Sequence, residues 1–150
     1  MIGVTVGYGL LFLVHVVVAV ASLTVLVVMR SRAMSIVRGA DGEKLRARFP
    51  QRRNWAARLV HLLPITGLAM SLSGTSDVSL TRPWIVVGIV CYLAAAGHLE
   101  ARTLPLERVV AEVINHDGVA SPDRGRQLVR SLDTLLAIIA IALLAMLIQF

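Results

Sequence analysis

Four stretches of this 150-residue chain carry no charged side chain: Met1 to Met29, Leu59 to Ser76, Pro83 to Leu99 and Thr134 to Phe150. A helix that crosses the ~30 Å hydrocarbon core of a bilayer needs about 20 predominantly apolar residues. The first stretch is ample. The others reach that length once their ends take in Trp55–Arg58, Glu100–Arg102 and Ser131–Asp133, whose polar groups can snorkel toward the interface. The pattern predicts an all-α fold, a transmembrane four-helix bundle, with spans near 5–29, 56–74, 83–103 and 131–149. Residues 30–55 and 104–130 are left as connections, and the whole chain, 1–150, reads as one integral membrane domain.

Composition agrees. The residues are 57% hydrophobic and 16% charged, with a mean hydropathy of +0.77, well to the apolar side of soluble globular usage. Ala19-Val20-Ala21 has the form of a signal-peptide cleavage site, but MIGVTVGYG holds no basic residue and the apolar run continues to Met29. A retained first span is therefore expected.

The basic residues set the direction of threading. Nine of the fifteen lie between Arg30 and Arg58 and five between Arg102 and Arg130, while the connection from Ser73 to Thr81 has none. The positive-inside rule makes the two basic connections cytoplasmic and puts both termini outside, N-out/C-out. Trp55 and Trp84 each open a span, as interfacial anchors do. Within the first connection, SRAMSIVR and EKLRARF read as short cytoplasmic amphipathic helices parted by the turn signal Ala40-Asp41-Gly42, and Pro50 ends the second. In the other connection, Pro105 starts a helix that His116-Asp117-Gly118 ends, and Ser121-Pro122 starts one that runs on into the fourth span.

Several function classes drop away. No phosphate loop, nucleophile elbow or zinc-protease signature is present, so no catalytic residue is expected and the chain does not read as an enzyme. Cys91 stands alone, which rules out an intramolecular disulfide and a cysteine-based zinc site. The basic connections are accounted for by topology and by anionic lipid headgroups at the cytoplasmic face, with no nucleic acid implied. Arginine outnumbers lysine fourteen to one, Lys44 being the one. With so much Ala, Val and Gly, that bias suggests a high-GC bacterium, hence a bacterial cytoplasmic (inner) membrane.

Between helices in lipid, small and polar residues mark the contacting faces. At 3/4 spacing these are Tyr8, Phe12, His15, Ala19 and Ser22 in the first span, and Ala57, His61, Pro64, Leu68 and Ser71 in the second. In the third they are Gly88, Cys91, Ala95, His98 and Arg102, and in the fourth Asp133, Ala137, Ala140 and Leu144. His61 follows Arg58 by about 4.5 Å of helix, His98 precedes Arg102 by about 6 Å, and Asp133 follows Arg130 by about 4.5 Å. These three groups are expected at one level just inside the cytoplasmic interface, whereas His15 belongs to the outer half. Two accounts of that level differ. In one, each imidazole is clasped by a carboxylate or a carbonyl, such as that of Val60, freed by Pro64. In the other, His61 and His98 bind haem b, or a divalent metal sits on His61, His98 and Asp133. The clasp, with no cofactor, is the expectation.

LVHVVVAV with His15 in the first span, PITGLAM in the second and RPWIVVGIVCYLAAAG opening the third resemble a bacterial family of small four-helix integral membrane proteins classed as a domain of unknown function. The position of Pro105 and the arginine-bearing approach to the fourth span fit as well. That family is loosely similar to cytochrome b561-like and copper-resistance membrane proteins, so the resemblance implies haem or metal held by transmembrane histidines. This chain lacks the two depth-matched histidine pairs of the haem-binding pattern. Alanine-rich stripes on short spans favour association with other membrane-protein subunits. The functional expectation is thus a non-catalytic accessory or assembly subunit of a larger inner-membrane complex, respiratory among the candidates.

Overall fold

The structure is a computed structural model that describes residues 2–51, 54–73 and 82–148. All regular structure among them is helical. Helix α1 covers Ile2–Val37, α2 Gly42–Arg48, α3 Leu62–Leu72, α4 Pro83–His98, α5 Leu104–Asp117 and α6 Pro122–Ile148. Three continuous helices are long and apolar enough to cross a membrane: Gly7–Val37, Pro83–Asp117 and Pro122–Ile148. Ala56–Leu72 is a shorter apolar helical segment in the second predicted span.

Two of the expected breaks are absent. The segment SRAMSIV continues α1 instead of forming a helix of its own, because no residue interrupts helical geometry before Gly39. There the φ of 68° ends the helix in a Schellman motif, with Gly39 N–H on the Ile36 carbonyl and Ala40 N–H on that of Ser35. The 36 residues of α1 extend about 54 Å, so the helix outruns a ~30 Å core by several turns. Pro105 likewise does not separate α5 from α4. It has no N–H for the carbonyl of Ala101, and the chain absorbs the defect in a π-helical turn over Leu99–Thr103, where Leu104 N–H reaches back to Leu99. Pro64 has a related effect at the start of α3, where Ala56–His61 winds as a tighter 3-10 helix.

The buried core gathers at the basic end of the helices. Ala33 and Ile36 of α1, Leu45 of α2, Val110 and Ile114 of α5, and Leu128 and Leu132 of α6 are all almost fully enclosed. The apolar lengths that would lie in lipid are largely exposed, as at Leu10 and Val17 of α1, Leu93 of α4 and Leu147 of α6. Water drives burial only where water is present. This explains a departure in the fourth span: Ala137, Ala140 and Leu144 are exposed, and α6 buries the Leu128, Leu132 and Leu135 face instead.

The closely packed pairs are α3 with α1, α1 with α6, and α6 with α4. Gly125 permits the α1–α6 approach: a Cβ there would stand 3.0 Å from Ile36 and 3.1 Å from Val37. The α2–α5 contact is as tight, since a Cβ on Gly42 would collide with the Gly118 carbonyl.

Replacing Gly125 with leucine is expected to cost about 1–3 kcal/mol by overpacking against Ile36 and Val37. Gly97→Ala, where nothing lies within 4 Å of the added carbon, should leave the thermal midpoint in detergent near the parent value. Equal midpoints for the two variants would contradict this account of the α1–α6 contact.

Candidate functional site

The 3-10 turn at the start of the second apolar segment carries His61 and Arg58 on one side, toward α4. His61 Nδ1 lies 3.2 Å from the Tyr92 hydroxyl, with the two rings edge-on at 6.3 Å. Its Nε2 lies 3.3 Å from Glu100 Oε1. One tautomer satisfies both: Tyr92 donates to Nδ1, and Nε2–H donates to the carboxylate. Arg58 grips the same carboxylate with two bonds, Nε to Oε1 at 2.7 Å and Nη2 to Oε2 at 2.8 Å. Its guanidinium also lies 5.2 Å from the Trp55 ring centre. Tyr92, His61, Glu100, Arg58 and Trp55 thus form a ladder joining the charged ends of the α3 and α4 segments.

His98 belongs to another seam. Its Nε2 is 3.0 Å from both the carbonyl and the hydroxyl of Ser131 on α6. The Thr103 hydroxyl, from the π turn, lies 2.9 Å from the same Ser131 Oγ. The third expected member, Asp133, pairs with Arg30 of α1 at 2.5 Å. His61, His98 and Asp133 therefore take separate partners on separate neighbouring helices. Among the described residues, no group of three His, Cys, Asp or Glu side chains is placed to hold a metal ion. The hydrogen bonds are of the clasp type, a carboxylate for His61 and a carbonyl for His98, although the partner of His61 is Glu100 and not the Val60 carbonyl. His15, expected in the outer half, meets the Thr66 hydroxyl of α3 at 2.7 Å. Gly67 makes room for it, since a Cβ there would stand 3.6 Å from the ring.

Below the ladder, on the basic side, opens a cleft of about 750 Å³ between the end of α1, the 49–58 segment and α5. Arg32, Asn54, Arg108 and Glu107 line it with Trp55 and Arg58. Asn54 shapes its wall with both ends of its amide. Its Oδ1 accepts from the backbone N–H of Ala57 at 3.2 Å, and its Nδ2 donates to Glu107 at 2.9 Å. Burial pushes the Glu107 carboxyl above its ordinary range, opposed by the Asn54 hydrogen bond and by nearby Arg32 and Arg108.

Reading the sequence for small and polar stripes missed Tyr92, Glu100 and Glu107. Glu100 carried a signal, being the one carboxylate within a turn of His98 and Arg102. It stands at the end of a span, and its contact with the 3-10 turn before α3 depends on how two helices are paired. No protein-family model matches the chain, and no curated protein or solved structure matches it.

Glu107 makes stability depend on pH. Its folded-state pKa lies above the unfolded value, so the folded protein binds this proton more tightly. A destabilising contribution then develops as pH rises from the ordinary carboxylate value through the raised one, and is constant above it. Glu107→Gln keeps the acceptor for Asn54 and removes the charge. It should raise the thermal midpoint at pH 7, with the gain shrinking as pH falls through the raised value and vanishing below the ordinary carboxylate range; a gain independent of pH would assign the effect to something other than this ionisation.

Proposed function

We propose that the chain is a four-span, non-catalytic subunit of a larger complex in the cytoplasmic membrane of a bacterium, serving an accessory or assembly role, with a respiratory complex the foremost candidate. Both termini lie outside in this reading, and the basic ends of the helices face the cytoplasm. The charge asymmetry supports the orientation, since nine and five basic residues fall in the two connections on one side. The resemblance to small four-helix membrane proteins of unknown function belongs to the same proposal.

One observation carries the subunit reading. The α3 and α4 segments are tied at their charged ends by the Arg58, His61 and Glu100 bonds, yet α3 and α4 are not among the closely packed pairs. The face of α3 turned away from α1 exposes Ile65, Leu68 and Leu72, at 62%, 49% and 74%. An unfilled apolar seam beside a short helix is a surface for another transmembrane helix, because such association gains packing without needing a hydrophobic drive. The competing reading is a haem- or metal-binding redox protein using His61 and His98. It would require His61, both of whose ring nitrogens are engaged, to leave its hydrogen bonds, and His98 to ligate through Nδ1 or give up its bonds to Ser131.

Photo-crosslinking side chains placed at Ile65 and Leu68 should capture one defined protein partner in native membranes, while the same probe at Val17 on the outer face of α1 should not. Equal crosslinking at all three positions would remove the support for a subunit interface. The absorbance spectrum of the purified protein, oxidised and reduced, should lack a Soret band. A band lost in His61→Ala and His98→Ala would establish the redox reading instead.

Topology is tested separately. In a Cys91→Ser background, a cysteine at Gln51 should react with an impermeant maleimide only after the membrane is opened. Labelling in intact cells freed of their outer envelope would reverse the orientation.

A further inference from the structure

At the charged end of the α4–α6 seam lies a pocket of about 330 Å³, lined by His98, Arg102, Leu106, Gln127, Arg130, Ser131 and Thr134. No carboxylate lines it. The carboxylates nearest in sequence to the two arginines are already paired, Glu100 with Arg58 and Asp133 with Arg30. Arg102 and Arg130, and the amide of Gln127, make no side-chain hydrogen bond or ion pair with any described residue. His98 and Thr134 are occupied, the first with Ser131 and the second with the Arg130 carbonyl. Two arginines and a glutamine amide therefore line one recess that has positive charge and no carboxylate to balance it. That is a charge arrangement complementary to a phosphate.

The position of the recess decides the source of that phosphate. It sits where the apolar parts of α4 and α6 give way to basic residues, the depth at which lipid headgroups lie. One and two turns toward the apolar side, on the same helical stripes, stand Ala94 of α4 and Ala137 and Ile141 of α6, all exposed. Gly97 adds open space, with nothing within 4 Å of a Cβ placed there. The arginines thus stand at the basic end of an exposed apolar track. A free phosphate has no use for such a track, whereas an acyl chain does.

The geometry points to a specific binding site for one anionic phospholipid on the α4–α6 seam. Arg102 and Arg130 hold the phosphate, Gln127 donates to the headgroup, and an acyl chain lies along Ala94, Gly97 and Ala137. Basic pockets between transmembrane helices on the cytoplasmic side are suited to this kind of lipid. The site rests on the reading that α4 and α6 cross the membrane, but not on the subunit interface at α3. It differs from general attraction of a basic surface to anionic lipid in having one place and two named arginines.

Native mass spectrometry of the full chain, released from detergent and titrated with phosphatidylglycerol or phosphatidylcholine, tests it. The wild type should retain one phosphatidylglycerol per chain and little phosphatidylcholine. Arg102→Gln with Arg130→Gln should weaken retention about 30-fold, and either change alone about 5-fold. Arg38→Gln with Arg48→Gln, at the end of α1 and on α2, neither of them a lining residue of the pocket, should leave it unchanged. Equal losses in the two double variants, equal retention of both lipids, or displacement by inorganic phosphate would each overturn the proposal, the last by identifying a free-phosphate site. In case the double variant does not fold, a photoreactive phosphatidylglycerol on the wild type should label peptides holding residues 94–102 and 127–137. Labelling confined elsewhere would also overturn it. Flotation with liposomes after an alkaline carbonate wash keeps this outcome distinct from failure of the membrane reading, because a chain held only at the bilayer surface would be stripped off and would not float.

Discussion

The packing of α1, α5 and α6 at their basic ends is the contact on which the other arrangements rest. Outside the bilayer, apolar side chains leave water when they meet, so Ile36, Val110, Ile114, Leu128 and Leu132 close into a conventional core. Within the apolar lengths that incentive is missing, because a neighbouring helix is no more apolar than a lipid chain. Gly125 lets α6 come within van der Waals reach of Ile36 and Val37, and this contact sets the relative height of the two long helices. Once α1 and α6 are held there, Arg30 stands beside Asp133, and Ser131 is presented to α4.

Polar contacts then fix the remaining helices one seam at a time. His98 and Thr103 meet Ser131 across the α4–α6 seam. His15 meets Thr66 across the α1–α3 seam, and His61 and Arg58 meet Glu100 across the α3–α4 gap. Each seam carries a hydrogen bond whose loss would strand a polar group where water is scarce, which gives each helix pair a preferred register. The π turn contributes by widening the helix between His98 and Leu104, placing Thr103 against α6 while Glu100 turns to α3. A defect imposed by Pro105 thereby becomes the point at which one helix serves two neighbours.

The two proposed surfaces follow from what these seams leave open. Among the described residues the hydrogen bonds across the α3–α4 gap run from Arg58 and His61, and the proposed partner helix would lie along the exposed Ile65, Leu68 and Leu72. The α4–α6 seam is closed along its length and basic at its end, so it has room for a headgroup rather than for a helix. The second depends on the pairing of Glu100 with Arg58 and of Asp133 with Arg30, which leaves Arg102 and Arg130 without those partners.

Much of the architecture was legible in the residues. Long charge-free runs announced membrane-length helices, since a backbone buried in lipid must satisfy its own hydrogen bonds and a helix does so locally. Gly118 closed α5 and Ser121-Pro122 opened α6, because capping depends on a few adjacent residues. The stripes of the first three spans put Ser22, Ala57 and Ala95 inside, where the structure buries them, but they also included Phe12 and Leu68, which the structure leaves exposed. Depth along a helix was likewise readable, at a fixed rise per residue, and it placed His61, His98 and Asp133 near one level. What depth could not supply was azimuth and pairing. Which neighbour each group faces depends on the crossing of α1 and α6 and on the extra residue in the π turn, and both are set by contacts between distant parts of the chain. The sequence by itself therefore led to the expectation of three ionisable groups at one depth, because rise along a helix is fixed, and the tertiary structure decided that each takes a different partner.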